Sequence, residues 1–198
     1  MKGAKLVATK TTAKKLAKST SGKANFRAYK VAVTNRGSVY YKVVSFDGSY
    51  RGWVYGGKST SAFAGGVKSY DTTTTATAPS SSATYKLSAS TSSTSNTLFY
   101  QQPSYAEYKI GRAKVNGSTL TSTSAYADST FTFSAAEKTS REGATWYKIA
   151  SVDGSTTNGL VGAWVKASNV TQTNAEPTAT SSNSVTVVYR DSSGNIIS

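Results

Sequence analysis

Val39-Tyr40-Tyr41-Lys42-Val43-Val44-Ser45-Phe46-Asp47-Gly48-Ser49-Tyr50-Arg51-Gly52-Trp53-Val54 reads as two strands around a tight turn. β-Branched and aromatic residues run up to Asp47-Gly48, the dipeptide favoured in type I′ hairpins, and resume after it. Much of this stretch returns about a hundred residues later. Thr34-Asn35-Arg36-Gly37 is echoed by Thr139-Ser140-Arg141-Glu142-Gly143, Tyr40-Tyr41-Lys42 by Trp146-Tyr147-Lys148, and Asp47-Gly48-Ser49 by Asp153-Gly154-Ser155. Each copy then reaches a Trp-Val pair, Trp53-Val54 and Trp164-Val165. A repeated supersecondary unit favours multivalent binding over chemistry at one pocket.

The register extends backwards. Phe26 and Phe131 each lie ten residues before the shared arginine, and Lys2 to Val7 resembles Ile110 to Val115. Copy two has a lead-in, Leu98 to Tyr105, that copy one lacks, so the sequence reads as a fragment with repeat one shortened at its start. Strand alternation places Tyr41, Val43, Tyr147 and Ile149 on one face and Tyr40, Lys42, Trp146 and Lys148 on the other, which the repeated lysine marks as at least partly wet. Tyr40 and Trp53 are expected exposed, Tyr41 and Val54 buried. In copy two, Ser155 to Gly162 lengthens the return strand or the loop.

Thr11 to Lys18 departs from the strand pattern: it holds good helix formers, a threonine to cap and Gly22 to stop it, and predicts one short basic helix. Between the copies, Tyr70 to Asn96 is rich in Ser and Thr and reads as a linker or an extended bridging strand. A second polar joint follows at 172–183, and Ser184 to Ile197 reads as a hairpin opening a further module. The expected class is mainly β, two small β-barrel repeats at 1–70 and 97–171, with linkers at 71–96 and 172–183 and a new module at 184–198.

The formal charge of +14 is unevenly placed: residues 1–70 hold 14 Lys plus Arg against Asp47 alone, leaving the rest nearly balanced. Lys10, Lys14, Lys15, Lys18, Lys23, Arg27, Lys30 and Arg36 fall in one stretch without an acid, a concentration that suits a polyanion. Arg51 joins them, and Tyr40, Tyr50, Trp53 and Tyr55 offer flat surfaces for sugar rings. Arg36 reads either as a phosphate ligand or as a structural bond to the hairpin, and its return as Arg141 favours the second. Cysteine and histidine are absent, which removes disulfides, thiol nucleophiles, imidazole bases and the usual zinc ligands. No enzyme activity, cofactor or metal is expected, and no apolar run is long enough for membrane insertion.

Gly52-Trp53-Val54 closing a hairpin whose first strand reads Tyr40-Tyr41-Lys42-Val43 is similar to bacterial SH3-like wall-binding modules of the Gly-Trp type. With Lys2-Gly3-Ala4-Lys5, Phe26-Arg27-Ala28-Tyr29, Val54-Tyr55-Gly56-Gly57-Lys58-Ser59 and Ala62-Phe63-Ala64-Gly65-Gly66, the first 77 residues resemble the N-terminal cell-wall-binding region of lactobacillus surface-layer (S-layer) proteins. The resemblance implies a secreted structural protein of the Gram-positive cell wall, held by teichoic or lipoteichoic acid or by wall polysaccharide, and self-associating through regions mostly outside this chain. Alternatives are a targeting module of a wall hydrolase, a surface adhesin and a basic nucleic-acid-binding protein.

Overall fold

The computed structural model describes residues 6–88, 96–174 and 189–193. Helix α1 (Lys10–Lys18) is followed by a 3₁₀ turn (Gly22–Ala24) and strands β1 (Phe26–Val33), β2 (Val39–Ser45) and β3 (Arg51–Gly57). Next come β4 (Thr73–Ala76), β5 (Tyr85–Leu87), the small hairpin β6 (Lys114–Val115) and β7 (Ser118–Thr119), β8 (Phe131–Thr139), β9 (Thr145–Val152), β10 (Trp164–Lys166) and β11 (Val170–Gln172). The chain is mainly β, and every strand pairing among the described residues is antiparallel.

Copy one forms a three-stranded meander, β1-β2-β3. Copy two forms a larger sheet in the order β10-β9-β8-β5-β11, with β4 also paired to β8. Neither closes into the expected small barrel among the described residues. The segment read as a linker supplies β4 and β5, whose threonines and Tyr85 complete the second sheet: Thr73 pairs with Thr139, Ala76 with Ala136, and Tyr85 with Phe131. A strand of three threonines and an alanine has no apolar alternation to announce it; the open edge of β8 is what fixes it. The joint at 172–183 and the hairpin at 184–197 lie largely outside the described residues.

The two copies are packed unequally. Phe99, Phe131, Ile149, Leu160 and Val165 are essentially sealed in copy two, at the centre of a continuous cluster that takes in Tyr85, Leu87 and Phe133. Copy one buries Val39, Tyr41 and Val44, with Phe63 edge-on to Tyr41 at 4.7 Å between ring centres. Gly56 lies beneath the Tyr41 ring, where a side chain of any kind would overlap it. β1 is wet along nearly its whole length, Val31 and Val33 being more than half exposed.

The two hairpins turn differently. Asp153 and Gly154 both take positive φ, 50° and 78°, while Val152 and Ser155 exchange backbone hydrogen bonds, the type I′ arrangement. In copy one only Gly48 is left-handed, at 79°, and Ser45 and Tyr50 frame a longer loop. The expectation of a type I′ turn at Asp47-Gly48 is corrected accordingly. The Asp47 carboxylate accepts from Ser45 Oγ at 2.6 Å, Ser49 N–H at 3.0 Å and Ser49 Oγ at 2.7 Å, which closes the wider loop. Those bonds, that of Ser45 first, hold its pKa below the usual carboxylate range.

Helix α1 forms where the sequence indicates, with different ends. Thr9, two residues before the expected segment, is the cap and accepts the Thr12 N–H at 3.1 Å, and the helix stops at Ser19 rather than at Gly22. Gly22 instead opens the 3₁₀ turn, pressed so tightly on Tyr105 of copy two that an added Cβ would sit 2.7 Å from the tyrosine Cβ. Lys15 and Lys18 in the last turn complement the helix dipole.

Candidate polyanion and carbohydrate site

Cross-strand register gathers the candidate residues. Tyr40 lies opposite Ala32 and Tyr55, Lys42 opposite Lys30 and Trp53, and Val44 opposite Arg27 and Arg51. Opposed residues share a face, so Arg27, Lys30, Lys42, Arg51, Tyr40, Trp53 and Tyr55 all belong to one side of the meander. That side is open to solvent around the aromatics, Trp53 being half exposed and Tyr40 and Tyr55 more than a third, while Val44, between Arg27 and Arg51, is covered. The Tyr40 and Tyr55 rings meet edge to face at 5.6 Å, and the Lys42 ammonium sits 5.9 Å from the centre of the Trp53 ring. Arg51 lies 5.5 Å from the Tyr29 ring centre and donates to the hydroxyls of Tyr29 and Tyr108, each at 3.4 Å. Tyr108 belongs to copy two, so the copies touch here.

Tyr50 is not part of this face. It precedes Arg51, alternates to the opposite side and is half-buried, its N–H held by Ser45 Oγ at 3.0 Å. Val54, expected buried, is only half-buried. Trp146 departs further: assigned to the wetter face, it is 4 % exposed, covered edge-on by Tyr100 at 5.5 Å, and its indole N–H has no partner among the described residues. The covering segment is the lead-in of copy two.

The helix lysines form a second cluster. Lys10, Lys14 and Lys18 follow one another at four-residue spacing and so line one stripe, with Lys15 beside it; all are exposed. No acid occurs in the helix, and none of these lysines, nor exposed Lys23, has an ion-pair partner among the described residues. Like charges at that spacing are unfavourable, and the strain is relieved when an anionic chain lies along the stripe.

No residue of the helix is buried, so its position depends on its C-terminal end. There Arg141 of copy two donates through Nη1 to the carbonyls of Leu16 at 3.2 Å and Ser19 at 2.5 Å, and through Nε to Asn25 Oδ1 at 2.6 Å and the Tyr70 hydroxyl at 2.8 Å. Tyr70 donates to the same Asn25 oxygen, and Glu142 Oε1 accepts from Gly22 N–H at 3.3 Å. The repeated arginine has thus split in role. Arg141 is structural, whereas Arg36 is exposed beside a shallow depression lined by Thr34, Asn35, Ser38 and Tyr40. Its turn is fastened by Lys58, which donates to Arg36 O at 3.1 Å and Ser38 Oγ at 2.9 Å. Sequence reasoning did not include Lys42, Tyr29 or Arg141 among the site residues. The lysine repeated at 42 and 148 was the available signal for the first; nothing in the sequence marks the long reach of Arg141.

Comparison of the chain with protein-family models, with curated proteins and with solved structures finds no match.

Proposed function

We propose that this chain anchors an S-layer protein non-covalently to the Gram-positive cell wall by binding a glycopolymer, with phosphate-bearing teichoic or lipoteichoic acid as the ligand of copy one. The observation that carries the reading is the single open face that combines Arg27, Lys30, Lys42 and Arg51 with Tyr40, Trp53 and Tyr55. Arginine and lysine neutralise successive phosphates and release counterions; tyrosine and tryptophan cover the apolar faces of sugar or polyol units. Neither needs a closed pocket, and a flat face suits a long ligand. The repeated meander ending in Trp-Val supports an SH3-like origin for both copies.

Sedimentation with purified walls across a salt series tests this. Adsorption is expected to fall steeply as salt rises and to drop after teichoic acid is extracted with acid. Adsorption indifferent to extraction would transfer the ligand to neutral polysaccharide, and tighter capture by single-stranded DNA than by walls would overturn the reading, since an aromatic and cationic face also serves nucleic acid. Trp53→Ala separates the two components of the face. It is expected to weaken wall binding about tenfold, in line with about 1 to 3 kcal/mol for one stacked ring, while leaving the salt slope unchanged.

A further inference from the structure

The Trp–Lys pair of the copy-one face exists twice. Lys148 lies opposite Trp164 as Lys42 lies opposite Trp53, yet Trp164 is 7 % exposed while Trp53 is half open. The difference is the lead-in of copy two. Tyr100 exchanges backbone hydrogen bonds with Trp164, at 3.0 and 2.8 Å, and brings the following residues alongside this side of the sheet. Thr72 Oγ donates to Ala106 O at 2.5 Å and ties the segment down at its other end. What is an open face in copy one is here a cavity of about 430 Å³, a size that suits one or two sugar units.

Its chemistry is also different. Gln101, Gln102 and Glu107 come from the lead-in, Glu137 from β8 and Lys148 from β9, with Trp164 forming part of the wall. Glu107, Glu137 and Lys148 have neither a hydrogen-bond nor an ion-pair partner among the described residues, so three charged groups stand ready for a ligand. Carboxylates and carboxamides are the groups that take hydroxyl pairs, and an indole wall accommodates a sugar ring. Two carboxylates against one ammonium leave the cavity negative, which opposes phosphate and favours a cation. We propose that copy two is a second binding module whose pocket takes an amino sugar, its ammonium group set between Glu107 and Glu137. The pocket stands apart from the polyanion proposal for copy one and does not depend on it.

The test is NMR titration of the full chain with glucosamine, glucose and glucose 6-phosphate, following the Trp164 indole and Lys148 amide signals. Glucosamine is expected to shift both signals and saturate; glucose is expected to bind about tenfold more weakly, and glucose 6-phosphate not at all. Replacing both acids, Glu107→Gln with Glu137→Gln, is expected to lower glucosamine affinity at least about tenfold. Both side chains are solvent-accessible and unpaired, so the fold is kept, and unchanged backbone amide spectra verify it. Absence of shifts with glucosamine, equal response to glucose or to the phosphate, or full affinity in the double variant would each overturn the proposal. The copy-one variant lacking Lys14, Lys15, Lys18 and Lys23 is expected to titrate as the parent does, so failure of wall binding and failure of this pocket are separate results.

Discussion

Replacing Lys14, Lys15, Lys18 and Lys23 together by glutamine is expected to lower adsorption to purified walls by about three orders of magnitude at moderate salt. Each lysine near an anionic surface contributes about 1 kcal/mol, and four that act on one chain sum to a change of that order. The diagnostic is the slope of log affinity against log salt, which falls by about 0.7 to 0.9 for every phosphate contact removed. All four side chains are exposed and none has an ion-pair partner among the described residues; the lost repulsion along helix α1 offsets the lost dipole contacts of Lys15 and Lys18, so the fold is expected to be kept, which circular dichroism checks. Unchanged adsorption and an unchanged slope would refute the polyanion grip. A fall in affinity without a change of slope would mean that the lysines act through something other than phosphate.

Arg141→Ala should have the largest effect on stability outside the cores. Its guanidinium joins the end of helix α1, Asn25 and Tyr70 to copy two, and Asn25 is buried. Removing a charged donor from buried acceptors costs about 1.5 to 3 kcal/mol. Chemical denaturation is expected to show that loss, and amide exchange should quicken across residues 10–19 before it does in β8 or β9, because the helix buries nothing of its own. Arg141→Lys restores only part of the effect: an ammonium can reach the helix carbonyls but has no Nε–H for Asn25. Arg36→Ala, at the matching position of copy one, is expected to change stability by less than about 0.5 kcal/mol. Equal losses in the two alanine variants would sink the assigned division of roles.

Local signals were readable where local forces decide. Asp-Gly with flanking β-branched and aromatic residues located both hairpins, and Thr11 to Lys18 located the helix, because turn chemistry and helix propensity act over a few residues. Tyr40, Tyr41 and Trp53 fell on their expected sides of the meander for the same reason: alternation needs no partner beyond the neighbouring strands. The failures share one cause, coverage by distant chain. Trp146 is buried by Tyr100, the threonines of β4 become a strand along the edge of β8, and the helix end is satisfied by Arg141. Bulges in β8, where the register shifts twice around Phe133, were equally invisible, since pairing irregularities depend on what packs above the sheet. For the site, the basic and aromatic residues could be named, but only the register β1-β2-β3 shows which of them stand together, and it leaves Tyr50 out.

The unequal cores bear on how the molecule fails when heated. A ladder with both faces of β1 wet cannot share the cooperative melting of a sheet sealed around Phe99, Phe131 and Ile149. Copy one loosens first and leaves its neighbour intact, so a single midpoint temperature describes neither half. In a calorimeter such a chain is expected to give two steps, and if copy one is the grip, as proposed, attachment has a lower thermal ceiling than the architecture it belongs to.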